Sequence, residues 1–311
     1  MKKHFREISV ALVLAVLLVF LALAAPGFYQ PQPLLSLLAH EAPALVVTCG
    51  MAVIILGRQI DISVGSQFAV CGVITGLLAA LKWPLSLLIP ASLLTGAVLG
   101  AINGVLVAGL RLPSIVVTLA TMVTWRESVR WLQQGRFINL PDELQWFGLS
   151  QAAGQGSVIG LALVVFVLAA LALGNWSAGR FVYAVGSDAE AARLAGIRPQ
   201  WVTFWNFVLL GALTGLGALL NLVQSPQVDP KSGAGLEMKA IAAVVVGGVA
   251  ISGGRGRLWA VFTGFILLAI INPALTHLHV EAYWEKAIQG GIILLAMVAD
   301  GLRNRRLRGN P

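Results

Sequence analysis

The chain has 311 residues, 58% of them hydrophobic and only 11% charged, where soluble domains carry about 25% charged residues; its mean hydropathy is +0.86. That leaves too little polar surface for a water-soluble globule, and aperiodic Gly with only two Cys excludes collagen-like and disulfide scaffolds. The apolar runs are continuous rather than alternating, which excludes an outer-membrane barrel and leaves an all-α polytopic membrane protein.

A bilayer-spanning helix needs about 20 mostly apolar residues. Ten segments meet or approach this: 8–27, 43–57, 62–81, 84–110, 113–133, 157–174, 201–224, 238–252, 258–277 and 284–302. The longest connections, 134–156 and 175–200, are too short for separate domains, so 1–311 is expected to form one transmembrane domain. The first segment follows the basic stretch Lys2, Lys3, Arg6, and Ala22-Leu23-Ala24 resembles a signal cleavage site. Its apolar run exceeds the ~7–15 residues of a signal peptide, so it reads as a retained helix. With the N-terminus inside and ten crossings, 14 of the 21 Lys and Arg fall inside and 7 outside, the bias that marks cytoplasmic loops. Both termini are then cytoplasmic. The tail Arg303–Arg308 sits at an anionic leaflet, and the net charge of +8 requires no nucleic-acid partner.

Several chemistries have no residues to carry them. There is no Gly-Lys dipeptide and hence no P-loop, and no His-Glu-x-x-His zinc motif. No cofactor, metal site or catalytic residue is therefore expected on this chain. Asp and Glu fall at segment ends, as Glu7, Asp61 and Asp300 do, or in loops. The buried carboxylate expected of an ion-coupled transporter is thus missing from the pattern. Cys49 and Cys71 lie in apolar segments and read as small hydrophobes.

Local patterns suggest further roles. Gly96, Gly100 and Gly104, like Gly211 and Gly215, form small-residue ridges that let helices approach closely. Thr118, Thr121 and Thr124 share one helix face, and Asn206, Asn221 and Asn272 supply polar groups in other segments; all six are candidates for lining a pathway. Asp61 stands at a helix start, where a carboxylate caps free N–H groups. Arg126 and Arg130 are like charges at i, i+4. With Glu127 they form a candidate outward docking site, amid Trp125, Trp131 and Trp146 of an interfacial belt. In the loop 175–200, Ser187 with Glu190 reads as a capping box, Gly196 as a left-handed terminator and Pro199 as a stop. These predict a short helix over 188–195 with Ala191, Ala192 and Arg193 at its centre.

The stretch Asn175-Trp176-Ser177-Ala178-Gly179-Arg180-Phe181-Val182-Tyr183-Ala184-Val185-Gly186, running on to Ala191-Ala192-Arg193-Leu194-Ala195-Gly196-Ile197, resembles the coupling loop of ABC-transporter permeases. The branch is the one serving ribose, xylose, autoinducer-2 and branched-chain amino acids. Collinear blocks agree: Ile60-Asp61-Ile62-Ser63-Val64-Gly65-Ser66, Ala101-Ile102-Asn103-Gly104, and Gly235-Leu236-Glu237-Met238-Lys239 leading to Gly247-Gly248. One departure is Arg58-Gln59, where the family usually has Gly-Gly. The wording Met122-Val123-Thr124-Trp125-Arg126-Glu127-Ser128, with Gln145-Trp146-Phe147-Gly148, is most similar to rhamnose permeases.

The resemblance implies a permease in a bacterial inner membrane that imports a monosaccharide. Its implied partners are a second permease subunit, cytoplasmic ATPase subunits and a periplasmic sugar-binding protein. It also implies that Gly179, Arg180, Gly186, Ser187, Glu190, Ala191, Ala192, Arg193 and Gly196 meet the ATPase. Asp61, Ser63, Gly65, Asn103, Glu237, Gly247 and Gly248 are its motif residues. An autoinducer-2 or ribose/xylose permease, and an ion-coupled secondary transporter, are the alternatives.

Overall fold

The computed structural model describes residues 5–24, 26–277 and, beyond them, 284, 287, 290, 291 and 294. The predicted segment 284–302 falls almost wholly outside these, as does the basic tail. The described helices are α1 (Phe5–Ala24), α2 (Pro31–Leu56), α3 (Val64–Ala80), α4 (Leu85–Gly104), α5 (Ser114–Gln133), α6 (Gln151–Asn175), α7 (Ser177–Ser187), α8 (Ala189–Leu194), α9 (Pro199–Leu222), α10 (Leu236–Val246) and α11 (Leu258–His277). A π turn, Val105–Gly109, prolongs α4. Among the described residues α2, the extended α4, α6, α9 and α11 are long and apolar enough to cross a membrane. α1 and α3 carry shorter apolar stretches. The all-α membrane class holds, but the elements are less uniform than ten spans.

The differences have local causes. α2 begins well before the predicted residue 43. Pro31 and Pro33 sit in its first turn, where a missing N–H costs nothing, and Pro43 is accommodated inside the helix. α10 stops early because Gly247 and Gly248 follow it, Gly248 at φ +94°. Its 11 residues reach about 16 Å at 1.5 Å each, about half of a hydrocarbon core. α7 was not predicted as a separate helix. Its buried residues Gly179, Val182, Val185 and Gly186 form a stripe too narrow to stand out beside the continuous runs around it.

α2 is buried along most of its length, with α9, α6 and α10 packed against it, and α4 packs on α9. The glycine ridges form the α4–α9 contact. A Cβ on Gly96 would overlap the Gly211 carbonyl, one on Gly100 the Phe207 carbonyl, and one on Gly215 the Ser92 carbonyl. The Ser92 hydroxyl donates to the Gly215 carbonyl at 2.7 Å. Small residues thus bring two backbones into contact, which in lipid supplies packing that the hydrophobic effect does not.

The connections gather at two ends. At one, the Gly254 N–H donates to the Leu56 carbonyl at 2.8 Å, Tyr183 Oη donates to the Gly256 carbonyl at 2.9 Å, and the Ile60 N–H donates to Ser114 Oγ at 3.4 Å. At the other, strands β1 (Ile138–Asn139) and β2 (Gln227–Val228) pair antiparallel, and the Trp146 N–H donates to the Val223 carbonyl at 2.7 Å. The first end holds Arg58, Arg111 and the α7–α8 segment, and the second holds the 134–150 and 223–235 connections.

Candidate functional site

The α7–α8 segment projects from the first end. Gly179 lies against the Ala172–Leu173 backbone and Gly186 against the Leu56 carbonyl, both too close for a side chain. Arg180 Nη1 donates to the Asn175 carbonyl at 3.0 Å. The predicted capping box is replaced by a different cap. Ser187 ends α7, and Asp188 caps α8, its Oδ1 accepting from the Glu190 and Ala191 N–H groups at 2.9 and 3.0 Å. Ser187 is still the last residue of α7, so the extended residue that precedes α8 is Asp188. Glu190 does not reach back. It accepts from Arg193 Nη2 at 2.5 Å and Nε at 3.0 Å, and those bonds hold its carboxyl below the ordinary range. Gly196, at φ +84°, closes the helix as expected, with the Ile197 N–H on the Ala192 carbonyl at 3.0 Å.

The central alanines of α8 point different ways. Ala192 is 4% exposed and turned onto this chain's own body, whereas Ala191 is exposed. The apolar side chain that α8 presents outward is Leu194, 77% exposed.

The motif residues assemble a buried polar cluster before α3. Asp61 is fully buried. Its Oδ1 accepts from the Ser63 N–H at 2.8 Å and Ser63 Oγ at 2.5 Å, and its Oδ2 from Gln67 Nε2 at 3.0 Å and Asn103 Nδ2 at 3.2 Å. Both amides also donate to Ser63 Oγ at 2.9 Å. Asp61 accepts no backbone N–H of α3 itself, whose first residue is Val64, so it is not the helix cap expected; it holds the turn at Ser63 and fastens α3 to α4 through Gln67 and Asn103. Gln67 was not anticipated, because a lone Gln in an apolar run carries no local signal.

A second cluster joins α3, α5 and α10. Gly65 has no room for a side chain because the Glu237 carboxylate and the Gly233 carbonyl occupy that space. Glu237 Oε1 accepts from the Gly235 N–H at 3.2 Å. Arg126 Nη1 donates to the Lys231 and Ser232 carbonyls at 3.4 and 3.1 Å. Arg126 is thus half-buried and engaged within this chain. Its position, about 18 Å along α5 from Ser114 at 1.5 Å per residue, lies well inside the helix. Arg130 instead pairs with Glu127 at 2.8 Å, both exposed, so the i, i+4 repulsion is relieved internally.

One further buried carboxylate corrects the expectation that acidic residues lie only at ends and loops: Glu41, inside α2, pairs with Lys239 of α10 at 2.6 Å. Glu237 is half-buried in the first turn of α10, its Oε2 enclosed beside Gly65. The polar helix residues divide. Thr118, Thr121 and Thr124 each donate to the carbonyl four residues back, at 2.9, 3.1 and 2.9 Å. Thr118 is buried while Thr124 is exposed. Asn206 is buried against Gly57. Asn221 lines a cavity of about 360 Å³ with His40, Glu41 and Lys239. Asn272 lies on α11, its side chain outside the described residues. Gly247 packs against Val261 of α11 without space for a Cβ. Among the described residues no three His, Cys, Asp or Glu are placed to hold a metal ion, and both cysteines are buried and free.

Comparison with known proteins accounts for these motifs. Residues 34–297 match the family described as "Branched-chain amino acid transport system / permease component". The chain is 30% identical to the ribose import permease protein RbsC of Escherichia coli (strain K12), over 96% of this chain and 95% of that protein. It is 31% identical to RbsC of Haemophilus influenzae, over 93% and 91%. It is 34% identical to the autoinducer 2 import system permease protein LsrC of E. coli O157:H7, over 95% and 87%. No solved structure matches significantly. The chain therefore belongs to the permease-component family of branched-chain amino acid transport systems, as a multi-pass protein of the bacterial inner membrane.

Proposed function

We propose that this chain is a membrane subunit of an ABC importer that carries a monosaccharide inward. It works as one of two permease subunits, with energy from separate ATPase subunits and substrate from a periplasmic binding protein. The observation that carries this reading is the α7–α8 segment. It is a rigid, capped pair of short helices fixed to α2 through Gly186 and Leu56, with Leu194 left bare. A side chain that is 77% exposed on so short a helix contributes little to this chain's own core, so it is available to an ATPase subunit. The end bearing this segment faces the cytoplasm, both termini are on that side, and ten crossings complete the single domain 1–311.

The α5 face with Ile115, Val116, Leu119 and Val123 is exposed and meets the second permease subunit. Thr121 and Thr124 are the threonines of α5 left open toward a pathway there. Glu127 and Arg130 remain exposed on the outer part of α5 and are available to a binding protein. Rhamnose is the first substrate to test, on the wording of residues 122–128 and 145–148. Ribose and autoinducer-2, named for the relatives, are the alternatives. A purified permease–ATPase complex in liposomes, supplied with cognate binding protein and each labelled substrate in turn, decides among them. Uptake of rhamnose and not ribose supports the assignment, and uptake of ribose alone overturns it. The buried Glu41–Lys239 pair is the observation that favours an ion-coupled transporter, and the energy source of uptake separates the two readings.

A further inference from the structure

The end of the bundle beside α8 contains a cavity of about 370 Å³. Its wall carries Arg58 and Arg111, the hydroxyls of Ser114 and Thr203, and the amides of Gln59 and Gln200, with no Asp or Glu. Both arginines hold left-handed backbone, at φ +64° and +56°. Residues with a Cβ rarely adopt that conformation, and it concentrates at functional places. Among the described residues neither guanidinium has a carboxylate partner. Thr203 is 7% exposed, and its hydroxyl makes no hydrogen bond among the described residues.

The starts of α5 and α9 also border the cavity, through Pro113–Ser114 and Pro199–Gln200. The first N–H groups of a helix lack intrahelical acceptors and carry the positive end of its dipole. Two arginines, the hydroxyls of Thr203 and Ser114 and two helix starts thus line one cavity whose wall carries no carboxylate, the C-terminal ends of α2 at Gly57 and of the π turn at Val107 and Ala108 being the only negative poles on it; guanidinium and hydroxyl donors so gathered recognise phosphate. Ala189, the first residue of α8, is on the same wall, so an occupant touches the segment that also presents Leu194.

We propose that this cavity binds a phosphate group, carried by a small phosphorylated molecule or by a lipid headgroup. The test uses the full chain in phosphatidylcholine nanodiscs, titrated calorimetrically with inorganic phosphate, a hexose 6-phosphate and the neutral hexose. The two phosphates bind saturably and the neutral hexose does not. Arg58→Asn and Arg111→Asn remove a guanidinium while keeping a residue that tolerates left-handed backbone. Each weakens binding about tenfold, as expected of a lost charged hydrogen bond, and the pair abolishes it. Arg58→Lys retains most of it, and Arg136→Asn, at an exposed position of the opposite end, changes nothing. Nanodiscs containing phosphatidylglycerol distinguish the source. Lipid that co-purifies with the wild type, is absent from the double variant and is not displaced by free phosphate assigns the site to a headgroup. Absence of both phosphate and lipid binding overturns the proposal, as does binding indifferent to both substitutions. A double variant that loses only its ATPase subunits, with no phosphate bound by either form, makes the cavity a docking surface instead.

Discussion

Replacing Asp61 with alanine removes the acceptor at the centre of the buried cluster. The Ser63 N–H and hydroxyl lose bonds of 2.8 and 2.5 Å. Gln67 and Asn103 lose one acceptor each but keep Ser63 Oγ at 2.9 Å. A buried donor left unpaired costs about 1–3 kcal/mol, so two lost outright and two weakened come to roughly 3–6 kcal/mol. Relief of a desolvated charge offsets part of this and favours the lower figure. At about 2 °C per kcal/mol for a large chain, the midpoint of thermal unfolding falls by about 6–12 °C. Asp61→Asn behaves differently. Gln67 Oε1 and Asn103 Oδ1 are buried without partners, and rotation of either amide offers an oxygen to the new NH₂ group, so the loss is about 1–2 kcal/mol. The assay is size-exclusion retention of detergent-solubilised protein after heating. Asparagine as damaging as alanine, or alanine without effect, refutes the view that Asp61 is the hub joining α3 to α4.

Leu194→Asp leaves expression and thermal stability unchanged, because the side chain is 77% exposed, but abolishes co-purification of ATPase subunits. Retained association removes α8 from the contact. Gly100→Leu drives a side chain into the Phe207 carbonyl and lowers stability by about 1–3 kcal/mol or more, read as the same thermal midpoint; an unchanged midpoint contradicts the α4–α9 backbone contact. A cysteine at exposed Ala234 is labelled by an impermeant maleimide from the periplasm, and one at exposed Ser187 only after permeabilisation. The reverse pattern inverts the orientation.

The sequence made the long apolar helices legible because length and hydropathy are local properties. α6 and α11 lie close to where the pattern places them, and Gly196 ends α8 as its chemistry predicts. Legibility fails where a side chain answers to distant partners. Arg126 reads locally as a like charge beside Arg130, but its acceptors lie more than 100 residues away on the 231–232 backbone. Asn103 reads as a motif letter, and its meaning as a donor to Asp61, 42 residues earlier, exists only in the fold. Ser187 reads as the cap, but the cap falls to Asp188 because α7 runs through Ser187, and where α7 ends is a property of packing against Leu56 and not of spacing. Glu41 escapes notice because prolines on both sides make its segment look like a loop.

The central claim is that transport through this chain is driven by a separate ATPase. The most direct measurement is uptake of labelled sugar into proteoliposomes holding the permease and its ATPase subunits, with binding protein added outside and ATP trapped inside. Uptake that requires ATP, stops with vanadate and is unaffected by a proton uncoupler is the result this account predicts. Uptake that proceeds without ATP and collapses with the uncoupler contradicts it.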